Sequence, residues 1–376
     1  MQRARLRVLM TLGLATAITL TACGPVTDDH RTSSTTHTAA PRATEDDEVE
    51  GNPSVPPTVT GSVPIPQPIR LQYPVPGGVG DPNQNIGDLY LPSGVGGPVP
   101  VVVLLHGGGW RVPASYKAMS SMARSLVSHG VAVWNVEYRR IGAGGGYPTT
   151  LTDTAAAIDY LQTIKAQIAP AIDLDDVVIS GHSAGGQLAV WAAAREMLTP
   201  GAMGSVPAVR PAAIVATAGV LDMRVAVADG NRHTREFLGD PEKNPQNYAV
   251  ANPIQNINPA VPVTCFNGTR DSVVRAHECT RFISALKSDG GVGRAVLLPG
   301  AGHNVYSPSN PYWPQVQNAI LDYVDDFRSA PSTSTPGSTT ATKPREHLTQ
   351  NSVPTREANP VLAAPGPRGT ITAPVG

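Results

Sequence analysis

The chain is poor in charge, in cysteine and in long apolar runs, and each shortage closes off a class of function. Formal net charge is −1, with no basic block beyond the first residues, so the electrostatic footprint of a nucleic-acid or other polyanion binder is missing. One uncharged apolar stretch, Val8 to Leu20, stands out near the N-terminus, and it is too short to cross a bilayer comfortably. His129, His233 and His277 are scattered without metal-ligand spacing, so no zinc site is expected. No internal repeat is visible.

What is present begins at the N-terminus. Arg3, Arg5 and Arg7 precede the apolar stretch, and Leu20-Thr21-Ala22-Cys23 closes it, which reads as an export signal over residues 1–23. The tetrapeptide resembles the bacterial lipobox, in which the cysteine receives diacylglycerol. The expectation is therefore a chain beginning at a lipidated Cys23, anchored to the membrane outside the cytoplasm; an ordinary cleaved signal and an uncleaved anchor are the alternatives. Residues 24–68 and 329–376 are rich in Ser, Thr and Pro and lack periodicity. Such segments do not bury enough apolar surface to offset chain entropy, and they are expected as a disordered tether and tail. With Cys23 assigned to lipid, Cys265 and Cys279 remain either as a disulfide in an oxidising compartment or as two buried free thiols.

Between the flanks, residues 69–328 alternate apolar runs with amphipathic stretches, the pattern of a mostly parallel sheet with helices on both faces. Strands are expected at Pro98 to Leu105, Val131 to Tyr138, Asp176 to Ser180, Ala212 to Val220, Val261 to Phe266 and Arg294 to Leu298. Helices are expected at Tyr116 to His129, Leu151 to Ile168, Gln187 to Met197 and Ala276 to Lys287. A last helix places Trp313, Val316, Ile320, Val324 and Phe327 on one face. Ile69 to Val75 and Gly87 to Leu91 are candidate antiparallel edge strands, and the polar stretch from Leu221 to Pro262 is a candidate small cap.

Gly181-His182-Ser183-Ala184-Gly185 fits G-x-S-x-G between a strand and a helix, the context in which the pattern forms a nucleophile turn. Glycines flank the serine because a turn this tight leaves no room for side chains, and the following helix dipole favours developing negative charge. His106-Gly107-Gly108-Gly109-Trp110 follows an earlier strand. Consecutive glycines let backbone amides face a site, so Gly107 and Gly108, with Ala184 after the serine, are the expected oxyanion donors. No GK[ST] follows, which excludes a P-loop.

The partners should follow in the order serine, acid, histidine, at the C-terminal ends of later strands. Asp271 and His303 fall there. Asp222 is the alternative acid. His303 is the expected base, with Asp271 holding its tautomer; His182 points away, and His106 packs under the glycine loop. Glu137, Arg139 and Asp153 read as a structural ion-pair and capping set. Trp110, Tyr147 and Trp313 are candidates to line an acyl pocket.

HGGGW, VEYRR, GGGYPTTLTD, GHSAGG and PGAGH occur in that order, and with them residues 98–328 resemble the bacterial esterase/lipase branch of the α/β-hydrolases. The resemblance is nearest to proteins grouped with kynurenine formamidase and with small feruloyl- and acetyl-esterases. It implies an eight-stranded sheet, a Ser-His-Asp triad carried by Ser183, His303 and Asp271, and no cofactor. It also implies a small-molecule ester of short to medium acyl chain as substrate, cleaved through an acyl-enzyme. Hydrolysis of an aryl formamide or peptide amide by the same triad, and a catalytically silent surface binding protein, are the alternatives. The lipobox, tether and tail depart from the family pattern and weigh against a cytosolic role.

Overall fold

The computed structural model describes residues 67–78 and 80–329. The expected export signal, the lipidation of Cys23 and all but the inner ends of the two polar flanks lie outside the described residues.

In chain order the described elements are β1 (Ile69–Gln72), β2 (Ile86–Tyr90), β3 (Val99–Leu105), α1 (Ser120–Val127), β4 (Ala132–Val136), α2 (Thr149–Asp159), α3 (Leu161–Gln167), β5 (Ile172–His182) and α4 (Ala184–Ala194). There follow β6 (Ala213–Thr217), α5 (Met223–Ala228), α6 (Arg232–Leu238), α7 (Pro245–Ala251), β7 (Val263–Gly268), α8 (His277–Ser288), β8 (Gly293–Leu298) and α9 (Trp313–Ser329). The strands form one sheet of eight in the order β1-β2-β4-β3-β5-β6-β7-β8. Pairings from β4 through β8 are parallel, while β1 and β2 join antiparallel.

Strand alternation divides the core. Val101, Val103 and Leu105 face one side, with residues of α2, α3, α4 and α8. Val102 and Leu104 face the other, where α1 and α9 bring Met122, Leu126, Val316, Ile320 and Val324. A sheet covered on both faces needs apolar residues at consecutive positions, which is why β3 reads VPVVVLL.

Three expectations change in detail. Of the two candidate edge strands only β1 is an edge; β2 lies between β1 and β4. Gly87 there is required because the Trp134 indole crosses it, and an added Cβ would lie 2.5 Å from that ring. The helix expected from Leu151 to Ile168 is broken at Tyr160 into α2 and α3. Trp134 Nε1 donates to the Ala157 carbonyl at 2.9 Å, taking the acceptor that the Leu161 amide would use in a continuous helix. β5 starts at Ile172, earlier than expected, because Val99 and Pro100 of β3 already pair with Ile172 and Asp173 before a register shift at Pro100/Val101 that leaves Leu174 to Asp176 as the extra residues.

The segment after β6 is a small cap of short helices, α5 to α7. Asp222 and Asn231 start α5 and α6 by accepting from the amides of Val225 and Thr234, the usual side-chain solution for unpaired first-turn donors.

Candidate active site

Ser183 sits between β5 and α4 with φ of 56°, a left-handed conformation that costs a non-glycine residue of order 1–3 kcal/mol. Neighbouring elements enforce it. An added Cβ on Gly185 would fall on the Leu105 carbonyl, and one on Gly181 would fall on the Gly185 carbonyl. The Ser183 amide donates to the Thr217 carbonyl of β6 at 2.9 Å. The hydroxyl is thereby held at the N-terminus of α4, where the amide of Ala184 is among those without an intrahelical acceptor.

The Ser183 hydroxyl meets His303, with Oγ 3.0 Å from Nε2. The other ring nitrogen, Nδ1, lies 2.8 Å from Asp271 Oδ2. Asp271 Oδ1 accepts from the amides of Val273 and Val274 at 2.8 and 2.9 Å. Burial works to raise the Asp271 carboxyl, but the hydrogen bond from His303 and the two amides outweigh it and hold the group below the ordinary carboxylate range. An ionised Asp271 accepts from Nδ1–H and leaves Nε2 of His303 free to take a proton from Ser183.

Gly107 and Gly108 line the same cleft as Ser183, Ala184 and His303, and the cleft encloses about 500 Å³. Gly107 lies against the turn that carries Ser183, where an added Cβ would be 2.8 Å from the His182 carbonyl. Gly108, Gly109 and Trp110 all have positive φ, a conformation that the first two, as glycines, adopt without steric cost. His106 supports it from below: Nδ1 lies 2.8 Å from the Gly107 carbonyl, Nε2 lies 2.8 Å from Glu137, and the ring stacks on Tyr138 at 4.2 Å.

Other sequence candidates are distributed differently. Asp222 does not meet His303; its Oδ2 pairs with Arg281 at 2.8 Å and Oδ1 caps α5. His182 donates away from the serine, Nε2 lying 2.8 Å from the His303 carbonyl. The expected set of Glu137, Arg139 and Asp153 divides in two. Arg139 grips Asp153 with two bonds of 2.7 and 2.8 Å, whereas Glu137 serves His106 and the amides of Tyr116 and Tyr138. Of the three large aromatics, Trp110 lines the cleft. Tyr147 packs edge-on against Phe237, and Trp313 stands behind Tyr306. Cys265 and Cys279 are joined as a disulfide with Cα atoms 5.8 Å apart.

The sequence reading missed several residues. Gln187 of α4 bridges the glycine loop to the cap, accepting from Trp110 Nε1 at 3.0 Å and donating to the Ala251 carbonyl at 2.9 Å. Tyr306 lines the cleft, and its hydroxyl donates to Ser180 Oγ at 2.9 Å, since Ser180 gives its own proton to the Val215 carbonyl. Asn231, His233 and Val273 form a wall from the cap and the loop after Asp271. A buried glutamine on an otherwise apolar helix was a readable signal for Gln187; the cap residues carry none.

A BD-FAE family model matches residues 87–286, more than half of the chain. The chain belongs to the BD-FAE family. Ser183 and Asp271 lie inside the matched stretch and His303 beyond it, so the geometry and not the family match connects His303 to the other two. A probable isoprenylcysteine alpha-carbonyl methylesterase of Arabidopsis thaliana is 24% identical over 244 residues, which are 60% of this BD-FAE chain and 49% of the relative. The chain thus spans about half the length of that relative. Among solved structures, a bifunctional GH43-CE protein of Bacteroides eggerthii is 25% identical with a TM-score of 0.55, covering 65% of this chain and 36% of its own. A propionate-bound esterase of Thermogutta terrifontis is 21% identical with a TM-score of 0.56 over 70% of this chain and 95% of its own. The fold is that of an α/β-hydrolase.

Proposed function

We propose that this BD-FAE protein is a serine hydrolase that cleaves carboxylic esters of short to medium acyl chain. The observation that carries the reading is the continuous relay from Ser183 Oγ to His303 Nε2 at 3.0 Å and from His303 Nδ1 to Asp271 at 2.8 Å, opening on a cleft walled by a glycine loop. Family membership and relatives named as esterases support the same bond type.

In this mechanism Ser183 Oγ attacks the ester carbonyl as its proton passes to His303 Nε2. The carbonyl oxygen becomes an oxyanion facing the amides of Gly107, Gly108 and Ala184. Each such donor is worth on the order of 100 to 1,000-fold in rate. Collapse of the tetrahedral adduct breaks the bond to the alcohol oxygen, which leaves with the proton from His303. Water then repeats the sequence on the acyl-enzyme and frees the acid. Ala118, Met119 and Met122 give the cleft an apolar wall suited to a modest acyl chain. The resemblance of Leu20-Thr21-Ala22-Cys23 to a lipobox supports a place outside the cytoplasm, with Cys23 as the membrane anchor.

Fluorophosphonate labelling and turnover of p-nitrophenyl esters of graded length test the proposal. Ser183→Ala is expected to lose the label completely and kcat by on the order of a millionfold. Labelling that persists in Ser183→Ala refutes it.

A further inference from the structure

A second, smaller recess adjoins the Ser183 cleft. It encloses about 200 Å³ and shares Asn231, His233 and Val273 with the cleft. Its remaining walls come from the end of α5, the loop after Asp271 and the first turn of α8. The mechanism above uses none of its polar groups.

Two of those groups are buried without a partner, His233 Nδ1 and Glu278 Oε1. Glu278 is 1% exposed. Its other oxygen already accepts from the amides of Leu221 and Asp222 at 2.9 and 2.6 Å. Burial pushes this carboxyl up to about 8, which favours its un-ionised form, and in that form Oε1, the oxygen that no amide meets, carries a proton that needs an acceptor. Leaving such a group unmade costs its desolvation, and the Glu278 hydroxyl points to an occupant that offers it an acceptor.

The charges agree. The recess is lined by Arg232, Arg275 and Asp229 besides Glu278. Asp229 is taken by His277 at 2.8 Å and by Arg275 more loosely at 3.8 Å. Among the described residues Arg232 has no carboxylate partner. Two guanidinium groups thus share the recess with Asp229, and burial and the neighbouring Arg232 and Arg111 hold His233 toward its neutral form. The excess is positive.

Position decides which half of a substrate reaches it. The departing oxygen takes its proton from His303, so that half lies on the His303 side. His303 rests on Asp271, and the residues directly after Asp271 line the recess. Met119 and Met122 line the cleft but not the recess, which leaves the acyl half to them. We infer that the recess is a subsite for the departing half of the ester and takes alcohols or phenols that carry a carboxylate. The inference rests on the ester-hydrolase reading given above.

The test compares 4-acetoxybenzoate with its neutral analogue 4-acetoxybenzamide on the full chain and on Arg232→Gln, an exposed position. Intrinsic reactivity cancels when the kcat/KM ratio of the two substrates is compared between proteins. The ratio is expected to fall about fivefold in Arg232→Gln, the scale of one partly exposed ion pair, and to shrink in the wild type as salt rises. Calorimetric titration with 4-hydroxybenzoate should show weaker binding to Arg232→Gln by a similar factor. A ratio and a titration both indifferent to Arg232 mean that the recess holds only water, and the inference falls. Should neither ester be cleaved, the ester reading fails and the titration alone decides: weakened binding still supports an anion subsite, and unchanged binding overturns it.

Discussion

His182, next to Ser183, reaches two other parts of the site. Its Nε2 donates to the His303 carbonyl at 2.8 Å, and its Nδ1 borders Gly107. Burial and the neighbouring His303 lower its pKa to about 4, so the ring is neutral near pH 7 and its one proton sits on Nε2, because a carbonyl only accepts. The side chain therefore pins the loop that carries His303. His182→Leu is expected to lower kcat by about 100-fold, the scale of a misplacement near 1 Å, with KM little changed. His182→Gln, which keeps an N–H at the same reach, should recover most of the loss; equal kcat in the Leu and Gln variants would remove the positioning role. Asp271 acts on the ring directly. Asp271→Asn presents a donor to Nδ1 and stabilises the wrong tautomer, so kcat should drop by about 10⁴. Asp222→Asn breaks the pairing with Arg281 instead, and steady-state kinetics should find the two variants far apart.

At the scale of elements, the turn between β5 and α4 is held by backbone that tolerates no added atom. Gly185→Ala would drive a methyl group into the carbonyls of Leu105 and His106, so soluble, folded protein is expected to be lost, as read by circular dichroism and yield. The junction of α8 with the cap depends on Glu278. Its pKa is ordinary, near 4.5, in the unfolded chain and about 8 in the folded protein, chiefly through burial. Below 4.5 both states hold the proton and the group makes no pH-dependent contribution. Between 4.5 and about 8 only the folded state retains it, so stability falls as pH rises through that window. Glu278→Gln cannot ionise; its melting temperature relative to wild type should rise from pH 5 to pH 8. A constant difference across that range would exclude a buried neutral carboxyl.

On the scale of the whole molecule, the sheet brings Ser183, Asp271 and His303 from the ends of β5, β7 and β8 to one edge, although they are 32 to 120 residues apart. The disulfide between Cys265 and Cys279 joins β7 to α8 and closes a loop over 14 positions that contains Asp271. By loop entropy it contributes roughly 3 kcal/mol. Cys265→Ser with Cys279→Ser should lower the unfolding free energy by about that amount in denaturant titration, while a loss well under 1 kcal/mol would mean that the crosslink does not constrain the unfolded chain.

The amino-acid sequence alone determined the local features. Apolar runs marked the strands, helical spacing marked α1 and α9, and the glycines beside Ser183 and after His106 marked two tight turns. These are legible because period and steric room are properties of neighbouring residues. Tertiary structure decided which aspartate faces His303, that Glu137 serves His106 while Arg139 serves Asp153, that Trp134 breaks a helix by taking the Ala157 carbonyl, and that cap residues wall the cleft. Those outcomes depend on distances of a few ångströms between groups far apart in the chain, and such distances exist only once the two faces of the sheet are packed.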